Sequence, residues 1–230
     1  MKMLPLVEGG KSRIALFIAV AALLTSGCSG GSDSDGRSKA QKGIPAHEIC
    51  DGTLDPSAAA ALKRMSGTNR FEELAGANQA GEPDEFSVSR SVKHLHDDYL
   101  KQSECSVYKA DDGSVQPLFE VRFSASRYYP SGKAHSSDRK VRYPLGVFAQ
   151  VGLNGADLFF RCSTKASTKD AHIGDADYVK AEMYASINRL RGDDKARDVM
   201  VILNSMARAV AEAAGCASQA GLPTRVPDAV

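Results

Sequence analysis

DDKARDVMVILNSMARAVAEAAGC, residues 193–216, is the clearest helical stretch in the chain. Val199, Met200, Leu203, Met206, Ala207, Val210 and Ala214 recur at the three- and four-residue spacing that lines one face of a helix. Asp193 or Asp194 caps its start, and Gly215 stops it just before Cys216. A helix with one apolar stripe must bury it against another layer. The residues before it supply that layer, because they read as strands.

Glu104 to Ala110 leads into Asp111-Asp112-Gly113, a hairpin signal, and then into a strand from Val115 to Ser126. There Phe119, Val121 and Phe123 alternate with Leu118, Glu120, Arg122 and Ser124, and Pro117 places the strand's start at an edge or bulge. A third strand is expected over Arg139 to Leu153. Asn154-Gly155 is a second hairpin signal, followed by a strand from Asp157 to Ser163. Tyr178 to Ile187 fits a fifth strand or a helix, and the pattern leaves both open. Upstream, Asp55 caps and Pro56 opens a helix that Gly67 ends. A short helix is expected from Thr68 through Phe71 and Leu74, and another over Ser89 to Gln102, with Val92, Leu95 and Tyr99 on one face. Strands in a run between helices predict an α+β domain: an antiparallel sheet of four to five strands, with an N-terminal helix and a long C-terminal helix packed on one face.

The N-terminus carries Lys2, Lys11 and Arg13, then eleven apolar residues, Ile14 to Leu24. Such a helix rises about 16 Å, against the roughly 30 Å of a bilayer core. It fits a signal-peptide core. The Gly9-Gly10-Lys11-Ser12 run before it has Pro5 where a phosphate-binding loop needs its first glycine, so no nucleotide site is read there. Leu24-Thr25-Ser26-Gly27-Cys28 follows, with small residues before a cysteine. This resembles the lipobox of bacterial lipoproteins. The resemblance implies cleavage after residue 27 and acylation of Cys28 with palmitate-like chains, fixing the protein to the extracytoplasmic face of the cell membrane. Two or three acyl chains anchor stably, at about 0.8 kcal/mol per buried CH₂. Residues 28–45, rich in Ser, Gly and Asp, are expected to form a flexible tether; 46–217 a single domain; and 218–230, with Pro223 and Pro227, a loose tail.

With Cys28 used for the anchor, Cys50, Cys105, Cys162 and Cys216 remain. An even number in an exported chain implies two disulfides, with three possible connectivities. Cys50–Cys105 and Cys162–Cys216 are favoured, since each joins the end of a helix to a strand. Each closes a loop of about 55 residues, worth about 4 kcal/mol in the chain-entropy model. No two of these cysteines are close enough in sequence for a C-x-x-C motif, which argues against a zinc or thiol-exchange site.

Cys50 followed by Asp-Gly-Thr-Leu-Asp-Pro-Ser-Ala-Ala, Cys105-Ser-Val-Tyr at a strand start, and a long helix ending at Gly215-Cys216 together resemble a group of actinobacterial cell-envelope lipoproteins and secreted domains of unknown function. The resemblance covers roughly residues 46–217 and implies location, disulfides and fold class, but no activity.

Candidate chemistry is sparse. The formal charge of +1 becomes −1 once Lys2, Lys11, Arg13 and Glu8 are removed, which gives no support for nucleic-acid binding. G-x-S-x-G, S-x-x-K with its partner motifs and H-E-x-x-H are all missing, and no cofactor motif is present. His94-Leu95-His96-Asp97-Asp98 is the one dense run of potential metal ligands; on a helix its two histidines diverge, so it reads as a solvated face and no metal is assigned. Arg127, Tyr128, Tyr129 and Lys133, continuing to Arg139 and Lys140, form a long basic and aromatic loop suited to partner contact. The expected function is a non-enzymatic module that binds an envelope protein, wall polymer or small apolar ligand. The alternative is an envelope hydrolase using His94, His96 or Asp97.

Overall fold

The computed structural model describes residues 43–110, 113–131, 140–169, 171–185 and 187–230. The expected signal peptide, Cys28, most of the expected tether, Asp111, Asp112, Lys133 and Arg139 lie outside the described residues. The described elements are α1 (Pro56–Ser66), β1 (Phe71–Glu73), α2 (Val88–Lys93), β2 (Cys105–Lys109), β3 (Phe119–Ser126), β4 (Val141–Arg142), β5 (Phe148–Gly152), β6 (Gly155–Thr164), β7 (Ala176–Tyr184), α3 (Lys195–Ala213) and α4 (Ala217–Ala220). No helix among the described residues is long and apolar enough to cross a membrane.

The strands form one antiparallel sheet in the order β1-β2-β3-β7-β6-β5-β4. β7 enters last and fills the centre, between β3 and β6. Residues 176–184 are therefore a strand, and the alternation of Val179, Ala181 and Met183 with Lys180, Glu182 and Tyr184 explains why. Helix α3 crosses β5, β6 and β7, while α1 packs on α3 and α2 on β3. The sheet side facing them carries Phe119, Val121, Phe123, Leu158, Phe160, Val179 and Met183, all buried in one core with the α3 stripe.

The α+β architecture is as expected, but the sheet has seven strands rather than four or five. One extra strand comes from residues expected to be a short helix. Phe71 and Leu74 have helical spacing, yet Phe71 is fully buried and β1 pairs with Lys109 to Val107, leaving Leu74 exposed. The other comes from splitting the strand expected over 139–153. Pro144 and Gly146 break it; Gly146 takes a left-handed φ of 58°, and the two halves fold back as a hairpin, Val141 opposite Val151. The helix expected over 89–102 stops at Lys93. The Leu95 and His96 carbonyls accept hydrogen bonds from Ala125 (2.7 Å) and Ile173 (2.9 Å), which diverts the backbone, and Tyr99 points outward.

Both long helices start where the sequence places them. Asp55 accepts the Ser57 and Ala58 N–H groups, Gly67 closes α1 in the left-handed region, and Asp194 caps α3 through Arg197 N–H. Two bridges join the layers: Cys50–Cys105, with Cα atoms 5.6 Å apart, and Cys162–Cys216, at 5.3 Å. These are the pairs favoured from the sequence.

Residues 218–230, expected to be loose, lie against the domain. Val226 is buried, the Pro223 carbonyl accepts from Asn204 (2.8 Å), and Val230 N–H donates to Arg142 at 3.0 Å. At the far edge Ile44, assigned to the tether, exchanges two backbone hydrogen bonds with Phe71. The prolines that suggested looseness remove backbone donors but do not stop an apolar residue between them from docking. Both sheet edges are thereby engaged, which blunts edge-to-edge association.

Candidate functional site

Among the described residues the helices lie on one side of the sheet, and every second residue of β3, β5, β6 and β7 faces away from them. Antiparallel register then sets the outward side chains in rows. One row runs Arg122 on β3, Glu182 on β7, Asp157 on β6 and Gln150 on β5. The next runs Glu120, Tyr184, Gly155 and Gly152. Because its last two members carry no side chain, the sheet is hollowed there. A groove of about 640 Å³ results, walled by Leu153 and Lys140 on one side and Glu104 on the other. It continues, sharing Glu104 and Arg122, into a hollow of about 220 Å³ beside Leu74, Tyr99 and Leu100.

The charges in the groove are partly neutralised. Lys180 donates to Glu182 at 2.7 Å and lies 3.1 Å from Asp157. Burial lowers its pKa, but the Glu182 hydrogen bond and the Asp157 charge outweigh that and hold it above the ordinary value. Arg122 is ion-paired with Glu104 and lies over the Tyr99 ring, 5.7 Å from its centre. Glu120 forms no ion pair or hydrogen bond among the described residues. Its pKa is raised, first by burial and then by the neighbouring Glu104 charge, with Arg122 opposing.

The candidates read from the sequence are placed elsewhere. His94 ends α2, buried, with Nδ1 2.6 Å from Asp97 and Nε2 3.8 Å from Glu82. His96 is also buried and its Nδ1–H donates to the Ile173 carbonyl at 2.9 Å. The run expected to be a solvated face is therefore largely internal. Asp98 caps a 3-10 turn by accepting Leu100 N–H. Among the described residues, the one trio of clustered metal-competent side chains is Cys50, Glu73 and Cys105, whose sulfurs are bonded to each other. Glu73 there accepts the Cys50 and Phe86 N–H groups, a structural task.

In the loop, Tyr128 is exposed, Arg127 lies beside Gly174, and Tyr129 packs edge-on against Tyr178, ring centres 4.9 Å apart. Tyr178 sits at the opposite end of β7 from Tyr184, about 20 Å away along the strand. Of the loop's candidates among the described residues, Lys140 alone borders the groove. Sequence reading did not identify Glu120, Arg122, Asp157, Glu182 and Tyr184 as a group. The alternation around Glu120 was the available signal, but their meeting depends on register and on β7 being a strand.

Comparison with known protein families, curated proteins and solved structures finds no match to this chain.

Proposed function

We propose that this protein is an exported lipoprotein of the bacterial cell envelope, anchored through acylated Cys28, whose domain is a non-enzymatic binding module. The open face of its sheet is the binding surface. One observation carries this reading: among the described residues a large sheet with helices on one side presents a concave groove on the other, lined by convergent polar groups and the exposed Tyr184 ring. Two disulfides suit an oxidising exterior. The lipobox-like run at Leu24 to Cys28 supports the anchor. The hydrolase alternative has the His94–Asp97 pair in its favour, but neither residue lines the groove or the hollow beside it.

The test is site-specific photo-cross-linking on intact cells. A benzoylphenylalanine replacing Tyr184 is expected to give a defined adduct, and one replacing Lys63 on the helix layer none. An adduct from position 63 with none from 184 overturns the assignment.

A further inference from the structure

The groove is uneven, and its unevenness bears on what it holds. Its walls carry four carboxylates, Glu104, Glu120, Asp157 and Glu182, against the cations Arg122 and Lys140. Glu104 is matched by Arg122, while Asp157 and Glu182 share Lys180. Glu120 has no ion pair or hydrogen bond among the described residues. Directly across from it on β7 stands Tyr184, 63% exposed, and beyond Tyr184 lie Gly155 and Gly152. A half-buried carboxylate next to an open aromatic face and an empty floor is the arrangement that receives a cation: the carboxylate supplies charge and the ring its negative face.

The two glycines differ in a useful way. At Gly155 (φ 146°) a Cβ would strike the Met183 carbonyl oxygen, so that glycine is required by the fold. At Gly152 the backbone is ordinary strand, and an added Cβ would meet nothing nearer than Lys140 Cγ at 3.9 Å. The fold does not need a glycine there; its missing side chain leaves the floor of the main groove open.

The apolar rim narrows the source of the cation. Leu153 borders the main groove, and Leu74 and Leu100 border the hollow joined to it; all three are exposed. These suit aliphatic side chains flanking a charged one, which a polypeptide offers and a hydrophilic polymer does not. Engagement of the sheet edges by Ile44 and Val230 favours a segment lying across the face over one added as a further strand.

Building on the open-face reading, we propose that the groove binds an extended segment of a partner protein and that the niche formed by Glu120, Tyr184 and Gly152 takes a lysine or arginine side chain of that segment. The purified native protein is titrated by calorimetry with an acetylated hexapeptide of alternating leucine and lysine, its leucine–glutamate counterpart, and glucosamine hexamer. The lysine peptide is expected to bind at least tenfold more tightly than either of the others. Gly152→Phe, which fills the niche, and Tyr184→Ala, at an exposed position, are each expected to weaken it at least tenfold, with thermal unfolding checked in parallel. Equal binding of the lysine and glutamate peptides, tighter binding of the glucosamine hexamer, or lysine-peptide binding unaffected by both substitutions overturns the proposal. A photo-adduct at position 184 combined with no preference for lysine removes this inference and keeps the open-face reading; loss of that adduct removes both.

Discussion

Glu120 and Tyr184 stand opposite each other across the β3–β7 pairing, a half-buried carboxylate beside an exposed ring. Burial and the nearby Glu104 charge favour the protonated form of Glu120, so its folded pKa lies above the ordinary 4.5. A carboxylate raised in this way contributes most to stability below its unfolded pKa, and that contribution is lost as pH rises through the folded value. Glu120→Gln is therefore expected to stabilise the domain at pH 7 by ~0.5 kcal/mol, solvent screening limiting the gain. The advantage should vanish as pH falls through the carboxylate range. Urea unfolding of both proteins from pH 3.5 to pH 7.5 checks this; an advantage that grows on acidification would show the sign is wrong.

Arg64 near the end of α1 forks onto Asp198 near the start of α3, Nη2 to Oδ1 at 2.5 Å and Nε to Oδ2 at 3.2 Å. The Asp198 side chain is only 8% exposed, so losing its partner strands a buried charge. Arg64→Ala should cost about 2 kcal/mol, and Arg64→Lys should recover part of that, since an ammonium cannot make the paired contact. A double-mutant cycle with Asp198→Ala measures the coupling; a coupling near zero would mean that the pair adds nothing.

The C-terminal segment is expected to contribute to stability. Ending the chain at Leu222 removes buried Val226, the Pro223 acceptor of Asn204 and the Asp228 partner of Arg197. A loss of about 2 kcal/mol is expected, or roughly 4–8 °C in Tm for a domain of this size. An unchanged melting curve would return the segment to the loose tail its prolines suggest.

How much of this was legible beforehand differs by element. Helices α1 and α3 were, because Asp55, Gly67, Asp194 and the Val199–Val210 stripe are local signals that packing then reinforces. The bridges were, because few pairings of four cysteines are possible. β1 was not: three residues carry too little periodicity, and only pairing with Val107 to Lys109 makes them a strand. The groove was not legible as a unit. Glu120, Tyr184 and Gly152 lie on three strands, and what unites them is a register that includes β7, whose sequence alone also fits a helix. His94 and His96 misled for another reason: a helix continued through them would carry them on a solvated face, whereas tertiary backbone hydrogen bonds draw that turn inward.

Tyr184 and Tyr128 offer the most direct measurement, because both rings are exposed, at 63% and 82%, and they mark the groove and the basic loop separately. Hydroxyl-radical footprinting compares oxidation of each ring in the purified protein and on intact cells. Strong protection of Tyr184 on cells, with Tyr128 labelled equally in both states, is the expected result. Protection of Tyr128 with Tyr184 unchanged would place the binding surface on the loop and contradict the account.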